Sequence, residues 1–189
     1  MCLSESESEK LLKFLEYVYM LKEIRRRGWM KKGVSRIESV ADHSFSLALM
    51  SMVMADMRGL NVERSVGMAL LHDLCESIVG DLTPKDRTKI GVEKSLEEEH
   101  RATKYVLSFL PPSLAKKYLD LWEEYKTEST AEAKLVKELD RLERALQAVK
   151  YTKNKALRKV LKRFWEEFLK TSQDNFLRDV LQHAIKTQE

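Results

Sequence analysis

Between Ser44 and Met57 the sequence reads SFSLALMSMVMADM, a run that is apolar on nearly every side of a helical wheel. In a soluble protein such a segment belongs at the centre of a helical bundle, and the spacing predicts that helix over 41–57. The remaining sequence agrees with a helical reading. Six Gly and three Pro in 189 residues leave few turn formers, so long uninterrupted elements are expected. No segment sustains period-two alternation, and the fold class is therefore all-α. Nothing divides the chain into repeats or linker-separated parts. It reads as one domain over 1–189, with its motifs inside about 11–151 and C-terminal helices over 156–187 packed on them.

Local signals set the expected elements. Ser and acidic residues at positions 4 to 9 favour the start of a helix reaching about Arg27, with Leu11, Leu12, Leu15, Val18, Tyr19 and Ile24 as its apolar face. Gly28 and Gly33 then break it. Asn61 caps a further helix through Val66, Leu70, Leu71 and Leu74, stopped by Gly80, Asp81 and Pro84, and a polar stretch runs to about Gly91. Later helices fit 93–110, 113–125, 130–151, 156–169 and 174–185. The cleanest periodicity is Leu135, Leu139, Leu142, Leu146 and Val149, a single buried stripe. Asp140 falls about 40° from Val136 on the wheel, at the edge of that stripe, so its carboxylate needs a partner. Lys137, Arg141 and Arg144 are the local alternatives to a metal.

Charge and cysteine content narrow the function classes. Lys and Arg number 34 against 30 Asp and Glu, a net of +4, which argues against a dedicated polyanion binder. The seven basic residues between Lys150 and Arg163 read as a solvated helix face rather than a nucleic-acid surface. Two cysteines, one of them Cys2, build no disulfide framework, and MCLSESESEK resembles neither a secretory nor a transit leader. The expectation is a cytoplasmic protein without a membrane span.

Two of the four histidines lie in the most apolar part of the chain. His43 heads the central helix, and His72 stands beside Asp73 in LLHDLCESIVGDLTP. On one continuous helix His72 and Glu76 share a face, with Asp81 following at the break. Two imidazoles and carboxylates from separate helices, with no cysteine cluster, suit a borderline divalent cation such as Mn, Co, Ni, Fe or Zn rather than a structural zinc. With His43, His72, Asp73 and Asp140 as ligands, an octahedral site keeps room for water. His100 and His183 read as solvent-facing, Cys75 as a small buried hydrophobe, and Trp122 and Trp165 as core or interface aromatics. Glu143 and Gln147 share the strip of Asp140 and are candidates to line the same pocket.

This pattern resembles the HD-domain metal-dependent phosphohydrolases. The segments RIESVADHS (36–44), LLHDLCESIVGDLTP (70–84) and LWEEYKTESTAEAKLVKELDRLERALQA (121–148) are similar to the 5′-deoxynucleotidase branch, over about three quarters of the chain. The resemblance implies one divalent cation (Co, Mn, Mg, Ni, Fe or Zn), removal of the 5′ phosphate from deoxyribonucleoside monophosphates, and a homodimer. It assigns Glu76 and Asp81 as the catalytic acidic pair, and an arginine near a tryptophan as the phosphate and sugar contacts. Six basic residues from Arg25 to Arg36 surround Trp29. Gly28 precedes Trp29 where some members have Arg, and of Arg25, Arg26 and Arg27 the reading takes Arg26 as the phosphate ligand, with Trp29 confining the sugar. Two rivals stand beside it: an HD enzyme acting on triphosphates, cyclic dinucleotides or guanosine tetraphosphate, and a helical module that binds nucleotide without turning it over.

Overall fold

Helix starts in this chain are written into single polar side chains. In the computed structural model, which describes residues 6–188, Ser6 and Glu9 form a reciprocal capping box that opens α1 (Glu7–Glu23), and Ser39 with Asp42 does the same for α3 (Val40–Met57). Asn61, Thr130 and Asp174 accept the third backbone N–H of α4 (Val62–Leu71), α9 (Ala131–Tyr151) and α11 (Asn175–Lys186). Each such cap contributes about 1 kcal/mol. The other helices are α2 (Arg27–Met30), α5 (Glu76–Val79), α6 (Pro84–Ile90), α7 (Val92–Leu107), α8 (Pro112–Thr127) and α10 (Arg158–Thr171). No strand occurs among the described residues; the all-α expectation stands, and Cys2 lies outside them.

The core gathers around α9. Leu135, Leu139, Leu142 and Val149 are buried and Leu146 packs at the edge, as the stripe requires. Against it lie Leu47, Met54 and Ala55 of α3, Met68 and Ala69 of α4, and Leu161, Trp165, Phe168, Leu177 and Leu181 from α10 and α11. Fully burying one such leucine contributes about 1.5–3 kcal/mol. A smaller cluster of Leu21, Val40, Leu74, Val106 and Leu107 joins α1 to α3 and α7. Among the described residues no helix is long and apolar enough to cross a membrane.

The structure departs from the sequence reading in several places. Helix α1 stops at Glu23, because Ile24 turns extended and Arg25 pairs antiparallel with Ser39; Gly28 lies inside α2 and breaks nothing. The inward face of α1 is Phe14, Tyr17 and Leu21, while Leu11, Leu12, Leu15 and Tyr19 face outward. Tyr17 decides that rotation, its ring stacked on Phe109 at 6.0 Å and edge-on to Tyr105 at 6.0 Å. Helix α3 is central on one side only: His43, Leu47, Ser51 and Met54 are buried, but Phe45 is 64% exposed, and Leu49, Met52, Val53 and Met57 are exposed beside it. The helix read through Leu74 ends at Leu71, and residues 72–75 form a tight turn with i to i−3 bonds, Leu74 N–H to the Leu71 carbonyl and Glu76 N–H to that of Asp73. His72 and Glu76 are therefore on separate elements. The stretch read as polar contains α6, capped by Thr83.

Candidate metal centre

Three elements deliver the candidate ligand atoms. His43 sits in the first turn of α3, His72 caps the C-terminus of α4 with Asp73 next in the turn, and Asp140 lies mid-way along α9. His43 is fully buried and His72 nearly so, while the side chains of Asp73 and Asp140 keep 24% and 14% exposure, which places the acids at the mouth and the imidazoles at the floor.

Both imidazoles are oriented through Nδ1. His72 donates its Nδ1–H to the Ala69 carbonyl at 2.8 Å, and His43 Nδ1 meets the Glu143 carboxylate at 2.5 Å. Their Nε2 atoms consequently face each other at 3.3 Å, with Asp140 Oδ1 3.3 Å from that of His43 and Asp73 Oδ2 3.0 Å from that of His72. Tyr125 donates to the other oxygen of Asp140 at 3.2 Å, and Arg144 Nε lies 3.5 Å from Asp140 Oδ1, so the local ion pair and the cluster coexist. Two ring nitrogens and two carboxylates at this range repel one another unless a cation stands among them. The titration of His43 carries the same message. Burial and the charge of Arg26 oppose protonation, yet the Asp140 and Glu143 hydrogen bonds outweigh them and lift His43 to about 9, so a proton is drawn in where a metal would sit. Burial likewise opposes the charge on Asp73 and Asp140, but His72, His43 and Arg26 hold Asp73 low, and Arg144, His43 and His72 hold Asp140 low. The donor set fits a divalent cation of borderline hardness.

The acidic pair sits beside this cluster. Glu76, at the start of α5, is 6% exposed. Burial first, and then repulsion from Asp73 and Asp81, push its carboxyl well above the usual range, with Arg26 and Arg87 pulling the other way. Asp81 accepts the Arg27 backbone N–H, which ties the segment before α6 to α2.

Arg26 enters from the bridge between residues 25 and 39. Its backbone N–H donates to the Glu38 carbonyl at 3.1 Å, and its side chain is 13% exposed, with Nε 3.7 Å from Glu38 Oε1. The Nη1 atom is buried and has no hydrogen-bond partner among the described residues. Burial opposes its charge, but Asp73, Glu38, Asp140 and Glu143 outweigh that and keep the guanidinium firmly charged. Trp29 is 2% exposed, wedged between Tyr151 (5.4 Å) and Phe164 (4.8 Å), with its indole N–H on Glu38 at 2.8 Å. Arg25 instead donates to the Ile37 carbonyl from an exposed position.

The structure thus brings His43, His72, Asp73, Asp140, Glu76 and Arg26 together, ties Asp81 to the Arg27 N–H, and puts Trp29 behind Glu38. Gln147 lies near Tyr151, and Glu143 is the direct partner of His43. Sequence reasoning missed Glu38 and Tyr125. Glu38 has no periodic signal and shows only as part of the 36–44 segment; Tyr125 falls four residues after the buried Leu121, a spacing that marks an inward position. Cys75 is buried, its thiol pushed up to about 12 by burial and by the charge of Asp73, as befits a small core residue. His100 meets Glu123 at 3.0 Å on the exposed face, and His183 is exposed.

Known proteins resemble this chain over most of its length. The family pattern described as HD domain matches residues 18–183. The human protein 5′-deoxynucleotidase HDDC2 is 46% identical over 144 residues, covering 76% of this chain and 69% of its own length. Among solved structures, a conserved hypothetical protein from Pyrococcus furiosus superposes with a TM-score of 0.75 at 32% identity, covering 93% of this chain and 99% of its own. A predicted metal-dependent phosphohydrolase from Magnetospirillum magnetotacticum gives 0.69 at 25% identity, covering 97% and 96%.

Proposed function

This chain belongs to the HD-domain family, and from that premise we propose that it is a 5′-deoxynucleotidase, a phosphoric monoester hydrolase that converts deoxyribonucleoside 5′-monophosphates to deoxynucleoside and phosphate. The observation that carries the reading is the buried Arg26 Nη1, which lacks a hydrogen-bond partner among the described residues and stands beside a cluster of atoms able to hold a metal ion. A buried N–H left unmade costs about 1–3 kcal/mol, and a phosphate oxygen is the acceptor that a guanidinium at this place suits best.

The residues take distinct parts. His43, His72, Asp73 and Asp140 hold one divalent cation, among Co, Mn, Mg, Ni, Fe and Zn. When bound, such a cation acidifies water and neutralises phosphate charge. Arg26 binds the phosphate and is held in place by Glu38. Glu76, shielded from solvent, orients the attacking water or passes a proton to the departing 5′ oxygen, which leaves poorly as an alkoxide. Asp81 positions the sugar at the entrance, and Trp29 closes the wall behind Glu38, so the sugar meets a rigid surface that disfavours a 2′-hydroxyl.

Two further readings complete the proposal. The exposed stripe of Phe45, Leu49, Met52 and Val53 on α3 supports a homodimer, since large contiguous apolar faces on soluble proteins are commonly covered by a partner. Buried Cys75 and the poverty in cysteine support the reducing cytoplasm as its compartment.

The test is phosphate release from a panel of deoxy- and ribonucleoside 5′-monophosphates by chelator-stripped protein supplied with each metal in turn. Turnover that favours the deoxy series is expected. Equal rates on both series end the sugar discrimination, and no turnover with any metal favours the binding module.

A further inference from the structure

Glu99 is 1% exposed in α7, and the reaction described above makes no use of it. Its carboxylate receives two cations from two other helices: Lys126 near the end of α8, at 2.5 Å, and Arg87 of α6. One cation neutralises one buried carboxylate. Lys126 already does so, and its ammonium is further held 5.0 Å above the Trp122 ring, between helices that apolar side chains join in any case. The second cation is therefore surplus to burying Glu99, and its helix tells what it is for.

Helix α6 has no buried residue of its own. Beyond its chain link to α7, its side-chain ties are polar and lie in its first half: Arg87 pairs with Glu99, and Lys31 reaches the preceding Asp86 (2.6 Å) and the cap Thr83 (3.0 Å). Only Leu82 and Thr83 separate Asp81 from its first residue. We propose that Glu99 is a positioning residue for Asp81: by clasping Arg87 it fixes α6, and α6 fixes the segment from which Asp81 meets the substrate. The charge of Arg87 also acts on Glu76, in keeping with this placement.

The inference rests on the deoxynucleotidase reading for its kinetic arm only. In Arg87→Ala, Lys126 still neutralises Glu99 and the fold is kept. Two readouts apply to the full-length protein: amide hydrogen exchange over residues 81–90, with and without added metal, and steady-state kinetics on a deoxynucleoside monophosphate. The expected result is exchange at least tenfold faster over 81–90 with the amides of α9 unchanged, KM raised about tenfold with kcat within threefold, and unchanged metal content. Arg87→Lys recovers part of the KM loss. Glu99→Gln combined with Lys126→Met removes the buried charge together with its other partner, and gives the same raised KM in a folded protein. Unchanged exchange over 81–90 in Arg87→Ala overturns the clasp, as does a KM within twofold of the parent. A loss of kcat together with metal shows a general structural role instead and equally overturns it. If the parent protein hydrolyses no deoxynucleotide, the function reading fails, and the exchange arm alone decides the clasp.

Discussion

The floor and the rim of the candidate site are built by different physics. The floor, with His43, His72, Asp73 and Asp140, hangs from α3, α4 and α9, whose inner faces are close-packed leucine, methionine and alanine. The rim, comprising α6 and the segment leading from Asp81, is held by the bond of Asp81 to the Arg27 N–H and by the ion pairs of Lys31 and Arg87, while α2 is itself anchored in the core by Trp29. Close-packed elements have one arrangement and keep buried side chains within tenths of an ångström, whereas an exposed ion pair such as that of Lys31 with Asp86 contributes little and yields to salt or substrate. A metal needs the first kind of support, and a nucleotide that must enter and leave is served by the second.

The largest effect should come from breaking the floor. Asp73→Ala removes a proposed ligand that also balances His72 at 3.0 Å, and metal content with activity should fall to background, about 10³-fold or more. Atomic absorption after dialysis checks the first and phosphate release the second. Retention of stoichiometric metal by this variant would remove Asp73 from the ligand set. Glu76→Gln comes next. It preserves shape and leaves the floor intact, so metal should stay while kcat falls by about 10²–10⁴, the range of a lost general acid or base. If the metal left with the carboxylate, Glu76 would belong to the floor and its proton role would be wrong.

A smaller effect separates ligands from the groups that aim them. Glu143→Ala frees His43 Nδ1, now held at 2.5 Å, and lets the ring rotate about its Cβ bond. Metal affinity should weaken by about 10–100-fold, the usual cost of losing an outer partner of a ligating histidine, and excess metal should restore kcat. Titration with a chelator of known affinity measures it. Failure of excess metal to restore the rate would place Glu143 in the chemistry itself.

The same division explains what could be read from the sequence. The floor was legible because its supports are periodic: the Leu135 to Val149 stripe fixes which way α9 faces, and Asp140 stands one step from it. The rim was not. PKDRTKI carries no apolar period, and α6 exists because Thr83 and Asp86 cap it and because Lys31, 55 residues earlier, comes to meet Asp86. Such pairing has no local signature. Glu99 did have one, standing in step with the buried Ser95, Ala102 and Val106, but a charged run reads as solvent-facing until its partners are known. The opposite error occurred on α3, where apolarity all round was taken for burial all round, whereas Phe45 and Val53 face outward.

The smallest effect tests the rim at its outer latch. Lys31 reaches Asp86 and Thr83 from α2 and holds the Asp86 carboxyl well below its ordinary value of 3.8, with the Thr83 hydroxyl and N–H adding to the same end. A carboxylate depressed in the folded state stabilises above its unfolded value and loses that contribution as the pH drops through and below it. The latch should therefore be complete at neutral pH and open only below about 3.8, and added salt should loosen it at any pH, since the pair lies at the surface. Lys31→Ala should raise KM by about two- to threefold, leave metal content unchanged, and abolish most of the salt dependence of KM, because exposed pairs couple weakly. Measuring KM from 20 mM to 500 mM salt for both proteins decides it, these concentrations being chosen to span roughly a fivefold change in screening length. A parent enzyme indifferent to salt would mean that the rim, like the floor, is held by apolar contact, and the division drawn between them would fall.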